Sequence, residues 1–383
     1  MQKQKLFAAL SLVVVVAILM VAGGTASVVA QGGTPAATME VVAGSGKITG
    51  PMDGEAKALN GAGATFPAVL YSKWFSEYAK LTGVQINYQS IGSGGGIKSV
   101  SDQTVDFGAS DGPMSDDQLK AAKGGAILHI PAALGGVVPT YFIPEVTDVL
   151  KFTPDTLAGI YLGTIVKWND EKLVTDNPQL KDVDKFIVVV HRSDGSGTSN
   201  IWTSYLTAVN PDWAKSVGAA NSVAWPVGLG GKGNEGVAGI VKQTGYSIGY
   251  VELAYAVQNK LAVGQVKNKA GKFITPNEQS VSLAAQGVKL PDDMRVKLVN
   301  SDNPDSYPIS GFTWLLVYEK QTDAAKATAI TRMLWWATHD AQQFNTALLY
   351  SPLPLDAIKK AEVLIQKITI NGKPALPAGI AGS

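Results

Sequence analysis

The chain has 383 residues, too many for one ordinary hydrophobic core and enough for two domains; 46% of them are hydrophobic and the formal net charge is +1. That balance excludes bulk electrostatic attraction to nucleic acid or to a lipid surface, so no nucleic-acid partner is expected and charge selectivity must be local. Cysteine is absent, which removes disulfides, thiolate metal ligands, cysteine nucleophiles and a lipid-modified cysteine together.

At the N-terminus Lys3 and Lys5 precede an apolar run from Leu6 to Ala22, and small residues follow, ending in Val28-Val29-Ala30. Residues 1–30 therefore read as a secretory signal cut after Ala30 or, since the run nears the lower limit for a spanning helix, as an uncleaved anchor. The product is expected outside the cytoplasm, periplasmic or at the cell surface. Residues 31–55 are rich in Gly, Ala, Pro and Thr without periodicity and read as a flexible tether.

The folded body begins near residue 56. Pro67 suits a first helical turn, and Leu70, Trp74 and Tyr78 form an apolar stripe behind it. A strand over 84–88 follows, alternating inward and outward, then the glycine run Gly92-Ser93-Gly94-Gly95-Gly96 and a helix from Ile97. Residues 105–109 (VDFGA) form a short strand ending at Ser110-Asp111. Residues 186–190 (FIVVV) are apolar enough for a strand buried on both faces, with residues 191–198 as the turn leaving it. Ile201 with Tyr205, and Trp202 with Leu206, mark the next helix face. Strand, glycine-rich turn and helix recur, which predicts an α/β fold with mixed sheets flanked by helices. Ligands in such folds gather at the carboxyl ends of strands.

Three turns share one property: Gly63-Ala64-Thr65-Phe66-Pro67, Gly92-Ser93-Gly94-Gly95 and Ser196-Gly197-Thr198-Ser199 each set free N–H groups of a first helical turn beside a hydroxyl. Such N–H groups have no intrahelical partner, and with the helix dipole they attract anions. Any one of these turns could simply cap its helix. Together they could surround a tetrahedral oxyanion with donors. Arg192 adds a guanidinium fork, and Asp194, two residues on, could hold it. Asp111 either shapes a turn or caps the following helix, or it faces the ligand. As an ionised acceptor it could face only an anion that carries a proton, which separates phosphate from sulfate near neutral pH.

These residues lie within motifs that resemble the phosphate-binding protein family of the ABC-type phosphate importer. AGATFPAVLYSKW, INYQSIGSGGGIKSV, VDFGASDGPMSDDQL, IYLGTIVKWND, RSDGSGTSNIWTSYL, WPVGLGGKGNEGVAG and IGYVELAYA occur in that order, and the resemblance runs from about Leu59 to Leu364. It implies a two-lobed periplasmic-binding-protein fold of type II with two crossover hinge strands. Lobe I would comprise 56–141 and 308–383, and lobe II 142–307. Carried over position by position, it assigns phosphate contacts to Thr65, Phe66, Ser93, Asp111, Arg192, Ser196, Gly197 and Thr198, with Asp194 as the partner of the arginine. It also implies a membrane permease as partner, a monomer, no cofactor and no resident metal. The tether before Leu59 departs from the family pattern, which leaves the mode of attachment open.

Rival readings are weaker. GLGGKGNEG (228–236) lacks the spacing of a phosphate loop, with Gly233 where Ser or Thr should follow Lys232, and reads as a tight turn opening a helix at Val237-Ala238. A phosphate-ester hydrolase would need an activated nucleophile or a metal. Gly195-Ser196-Gly197 is not a nucleophile elbow, and His129, His191 and His339 have no evident acid–base setting. A binding protein for another tetrahedral oxyanion is the remaining alternative.

Overall fold

The stripe Leu70, Trp74 and Tyr78 lies on helix α1 (Ala68–Thr82), where all three side chains are wholly buried, each contributing roughly 1.5–3 kcal/mol. Gly83 ends the helix in the left-handed conformation at φ 77°, where a side chain would be strained. The computed structural model describes residues 46–381. The expected signal segment and the first part of the tether lie outside the described residues.

A mixed sheet organises the described chain. It is built from β1 (Ala58–Gly63), β2 (Gln85–Ser90), β3 (Phe107–Ser110), β4 (Ile127–Phe142), β5 (Val188–Arg192), β6 (Leu229–Gly231), β7 (Ser247–Glu252), β8 (Ala262–Val263) and β9 (Ser310–Tyr318). The order is β2-β1-β3-β9-β4-β7-β5-β6, with β8 also on β4. One half holds the parallel set β1, β2 and β3. The other half holds the parallel set β5, β6 and β7.

β4 belongs to both halves. Up to Gly136 it pairs with β9, and from Val137 onward it pairs with β7. The chain returns beside that changeover, where Val137 N–H donates to Ile309 O (2.9 Å) and Tyr307 OH donates to Val137 O (2.9 Å). The carboxyl ends of the two parallel sets thereby face each other. Every strand in those sets runs through a short turn into a helix: α1 after β1, α2 (Ser93–Ser101) after β2, a five-residue helix (Asp116–Lys120) after β3, α3 (Gly197–Val209) after β5, α4 (Gly233–Gln243) after β6 and α5 (Leu253–Gln258) after β7.

Several local expectations change. Helix α2 begins at Ser93, four residues before Ile97, and takes the glycine run inside it. Close packing is the reason: a Cβ on Gly96 would lie 2.5 Å from Gly63 Cα and 2.6 Å from Ala109 O. The strand read at 186–190 begins at Val188 and continues through Arg192. Phe186 is 68% exposed, with Lys167 Nζ 5.2 Å from its ring centroid, so that run is not buried on both faces. The strand at 85–90 is an edge strand whose inward residues are only half-buried, because β1 covers one side alone.

The last part of the segment read as tether is docked onto α6 (Ala324–Thr338). Gly46 N–H donates to Ile380 O (2.7 Å), Trp335 Nε1 donates to Gly46 O (3.1 Å), Ile48 is buried, and buried Glu55 pairs with Arg332. Composition registers Gly46 to Glu55 as loose because the groups that hold them lie far along the chain.

Gly96→Ala is expected to destabilise the protein. Alanine gains about 1 kcal/mol in helix propensity, but its methyl meets backbone atoms that cannot step aside, so a net loss of about 1–3 kcal/mol should appear in urea denaturation. An unchanged midpoint would refute the packing argument.

Candidate anion site

Each strand end delivers a different kind of donor. After β1 the chain turns through Gly63, at φ 151°, where a Cβ would lie 2.1 Å from Ala109 O. This sets Thr65 and Phe66 ahead of α1, and two tyrosines pin their carbonyls: Tyr255 OH donates to Thr65 O (2.6 Å) and Tyr350 OH to Phe66 O (2.7 Å). After β2, Gly92 at φ 88° turns the chain into α2 and buries Ser93 at its start. After β5, Ser196 caps α3 by accepting from Ser199 N–H (3.0 Å), which places Gly197 and Thr198 in its first turn. The N–H groups of Phe66, Ser93, Gly197 and Thr198 have no acceptor among the described residues. A helix start supplies such donors by construction.

These turns meet. Gly94 N–H donates to Gly195 O (2.7 Å), joining the start of α2 to the loop before α3. A Cβ on Gly197 would lie 2.6 Å from Asp111 N, Asp111 Oδ2 and Ser93 Oγ. A Cβ on Gly92 would lie 2.2 Å from Asp194 Oδ2. Thr65, Phe66, Ser93, Asp111, Arg192, Ser196, Gly197 and Thr198 are all buried, and Asp194 is half-buried.

Arg192 is 3% exposed and its charge is compensated locally: Nε donates to Asp194 Oδ1 (2.8 Å) and Nη2 to Asp194 Oδ2 (2.6 Å). Nη1 donates to Thr198 Oγ1 (3.3 Å). A guanidinium has five N–H donors, so two remain for a ligand. Burial alone would raise the Asp194 carboxyl, but the Arg192 bonds and charge, with the Gly233 N–H (3.0 Å), outweigh it and hold Asp194 below the usual range.

Asp111 behaves oppositely. It neither caps the next helix, whose cap is Ser115, nor points outward. Its Oδ1 accepts from Thr313 Oγ1 (2.9 Å), while Oδ2 has only a long contact to Ser93 Oγ (3.4 Å). Burial pushes its carboxyl up from 3.8 to about 7, against the lowering effects of Thr313, Arg192 and Ser93.

Two contributors escape a sequence reading. Thr313 lies within β9, where no local pattern distinguishes it. Asn234 lies in the first turn of α4; its Nδ2 donates to Thr65 Oγ1 (2.8 Å) and Thr198 Oγ1 (3.1 Å), and its Oδ1 accepts from Glu252 N–H (2.9 Å). The segment GLGGKGNEG differs from the expected tight turn: Leu229–Gly231 is a strand and the helix begins at Gly233, four residues before Val237, so the same strand, glycine and helix-start pattern that singles out the other three turns was the available signal. The histidines are packed. His129 Nε2 accepts from Met114 N–H (3.0 Å), and burial lowers its pKa to about 3. His191 stacks on Trp225 and His339 on Trp335. Among the described residues no group of three or more His, Asp and Glu could hold a metal ion, and no helix is long and apolar enough to cross a membrane.

Two halves that present donors to one buried point between them define a solute-binding protein of the periplasmic type. The profile of the PBP superfamily domain matches residues 29–329. The chain is 43% identical over 311 residues to the phosphate-binding protein PstS of Pasteurella multocida, covering 80% of this chain and 90% of that one. It is 44% identical over 307 residues to that of Haemophilus influenzae, covering 79% and 91%. The chain therefore belongs to the PBP superfamily and, within it, to the PstS family of phosphate-binding proteins. Among solved structures, a high-affinity periplasmic phosphate-binding protein (PfluDING) with phosphate bound superposes with a TM-score of 0.67 at 22% identity, covering 80% of this chain and 93% of that one. A phosphate-binding protein from Stenotrophomonas maltophilia gives 0.66 at 20% identity, covering 85% and 100%. These two likenesses bear on the fold.

The raised Asp111 pKa has a stability consequence. In anion-free buffer the unfolded carboxyl ionises above about pH 4, whereas the folded one keeps its proton to about pH 7. Asp111 therefore subtracts stability as pH rises through that window, by on the order of 4 kcal/mol at most. The melting temperature of the parent chain should fall between pH 4 and pH 8, and Asp111→Asn should flatten that fall; an identical pH profile for both would contradict it.

Proposed function

We propose that this chain captures inorganic phosphate between its two halves, outside the cytoplasm, and delivers it to the membrane permease of an ABC importer. The observation that carries this reading is the single acceptor among converging donors. Main-chain N–H groups of Phe66, Ser93, Gly197 and Thr198, the hydroxyls of Thr65, Ser93 and Thr198, and the free N–H groups of Arg192 would bind three oxygens of the ion. Asp111 Oδ2 would face the fourth. Ser196 acts as the cap that holds Gly197 and Thr198, and Asp194 holds Arg192.

The halves are assigned as lobe I, 56–141 with 308–383, and lobe II, 142–307. Thr65, Phe66, Ser93 and Asp111 come from the first, and residues 192–198 from the second. Because neither supplies the full shell, the ion favours the closed arrangement and shifts the population toward it. A monomer in the closed form is what the permease would engage.

Selectivity follows from proton count. Asp111 Oδ2 and the anion oxygen that it faces would share one proton, and phosphate brings it near neutral pH. Sulfate brings none, so it would meet an ionised carboxylate at close range. Below the Asp111 pKa of about 7 the carboxyl supplies that proton itself. Discrimination against sulfate is therefore expected to be greatest above pH 7 and to decline with acidification.

Isothermal titration of the purified chain with phosphate, arsenate and sulfate tests the reading. Phosphate should bind tightly, and Arg192→Ala should weaken it by about 2–5 kcal/mol. Asp111→Asn should relax discrimination against sulfate more than it lowers phosphate affinity. Sulfate binding as tightly as phosphate at pH 8 would overturn the proposal, as would full affinity in the Arg192→Ala protein.

A further inference from the structure

Asn234 is wholly buried in the first turn of α4, and its amide orientation is fixed. Glu252 N–H is a donor and demands the oxygen, so the two N–H groups point the other way, to Thr65 Oγ1 (2.8 Å) and Thr198 Oγ1 (3.1 Å). The two hydroxyls sit on opposite sides of the site, one before α1 and one in α3.

Each hydroxyl has two acceptor positions and one proton. Thr65 Oγ1 accepts from both Asn234 N–H (3.1 Å) and Asn234 Nδ2, which fills its acceptor capacity. Thr198 Oγ1 accepts from Asn234 Nδ2 and Arg192 Nη1, which fills its own. Neither hydroxyl donates to an acceptor among the described residues, so each has only its proton left to offer.

Resting on the site reading above, we propose that Asn234 is a positioning residue that sets the polarity of the pocket. By filling both acceptor positions of Thr65, and with Arg192 Nη1 both of Thr198, it compels the two hydroxyls to donate to the anion. A hydroxyl is otherwise free to rotate and accept a proton from a protonated ligand. With this amide in place, neither threonine can do so. The ligand's proton is then barred from both threonines and directed toward the Asp111 carboxyl, and the amide of Asn234 works with that carboxyl without touching the ion. The same amide ties Thr65 to Thr198 across the interface.

The test is a double-mutant cycle read by isothermal titration with inorganic phosphate on the purified chain. Thr198→Val and Asn234→Ala are each expected to weaken binding about ten- to a hundredfold, the range for one hydrogen bond to a charged group. The double variant should bind no more than about threefold worse than the weaker single variant, because Asn234 acts through the hydroxyl already removed. Losses that multiply would mean that Asn234 only supports the fold and would overturn the inference. Affinity unchanged by Thr198→Val and by Thr65→Val would instead overturn the site reading itself.

Should Asn234→Ala not fold, neutron diffraction from deuterated wild-type crystals with phosphate decides the matter. Deuterons on Thr65 Oγ1 and Thr198 Oγ1 should both aim at phosphate oxygens. A deuteron aimed at Asn234 would sink the proposal.

Discussion

A guanidinium buried to 3% exposure cannot stand alone, and the two-bond pairing of Arg192 with Asp194 is the constraint on which the site depends. It makes burial of the charge tolerable, and in doing so it cancels most of the net charge that could attract an anion. Attraction must then come from oriented dipoles, and dipoles act only at short range in fixed geometry. This is why helix starts converge here and why their approach is so close. Gly197 meets Asp111 and Ser93 at distances that admit no side chain, and Gly94 bonds directly to Gly195.

A site built from compensated charges and main-chain N–H groups selects by hydrogen-bond count and direction. Bulk charge would favour sulfate as readily as phosphate. Here every group is a donor except one carboxyl, and burial brings that carboxyl's titration close to neutrality. On the proposed reading, selection and pH dependence would be two aspects of the same buried oxygen. The near-zero net charge of the chain is compatible with this arrangement, which requires no long-range field.

Much of this was legible in the amino-acid order because the essential features are local. Helix starts with Ser or Thr beside glycine announce themselves within five residues, and Arg192 stands two positions from its partner. The structure brings all nine expected site residues to one place. What was hidden depended on contacts distant in sequence. Thr313 supports Asp111 from the neighbouring strand β9, Arg332 holds Glu55, and Tyr255 and Tyr350 fix the carbonyls of Thr65 and Phe66. The glycine run after β2 misled in a different way: glycine usually argues against helix, yet in α2 it is required because Gly63 and Ala109 lie against the helix backbone. Phe186 misled because hydrophobicity does not reveal which end of a strand leaves the sheet.

The strand shared by both halves has a mechanical meaning. The sixteen residues of β4 form one strand through the changeover from β9 to β7, with a bulge in its pairing at Ala132. Melting of either half must therefore fray the rod on which the other is mounted. Heat should dissolve the described body in one calorimetric step, with amide protons on both flanks of Gly136 exchanging together.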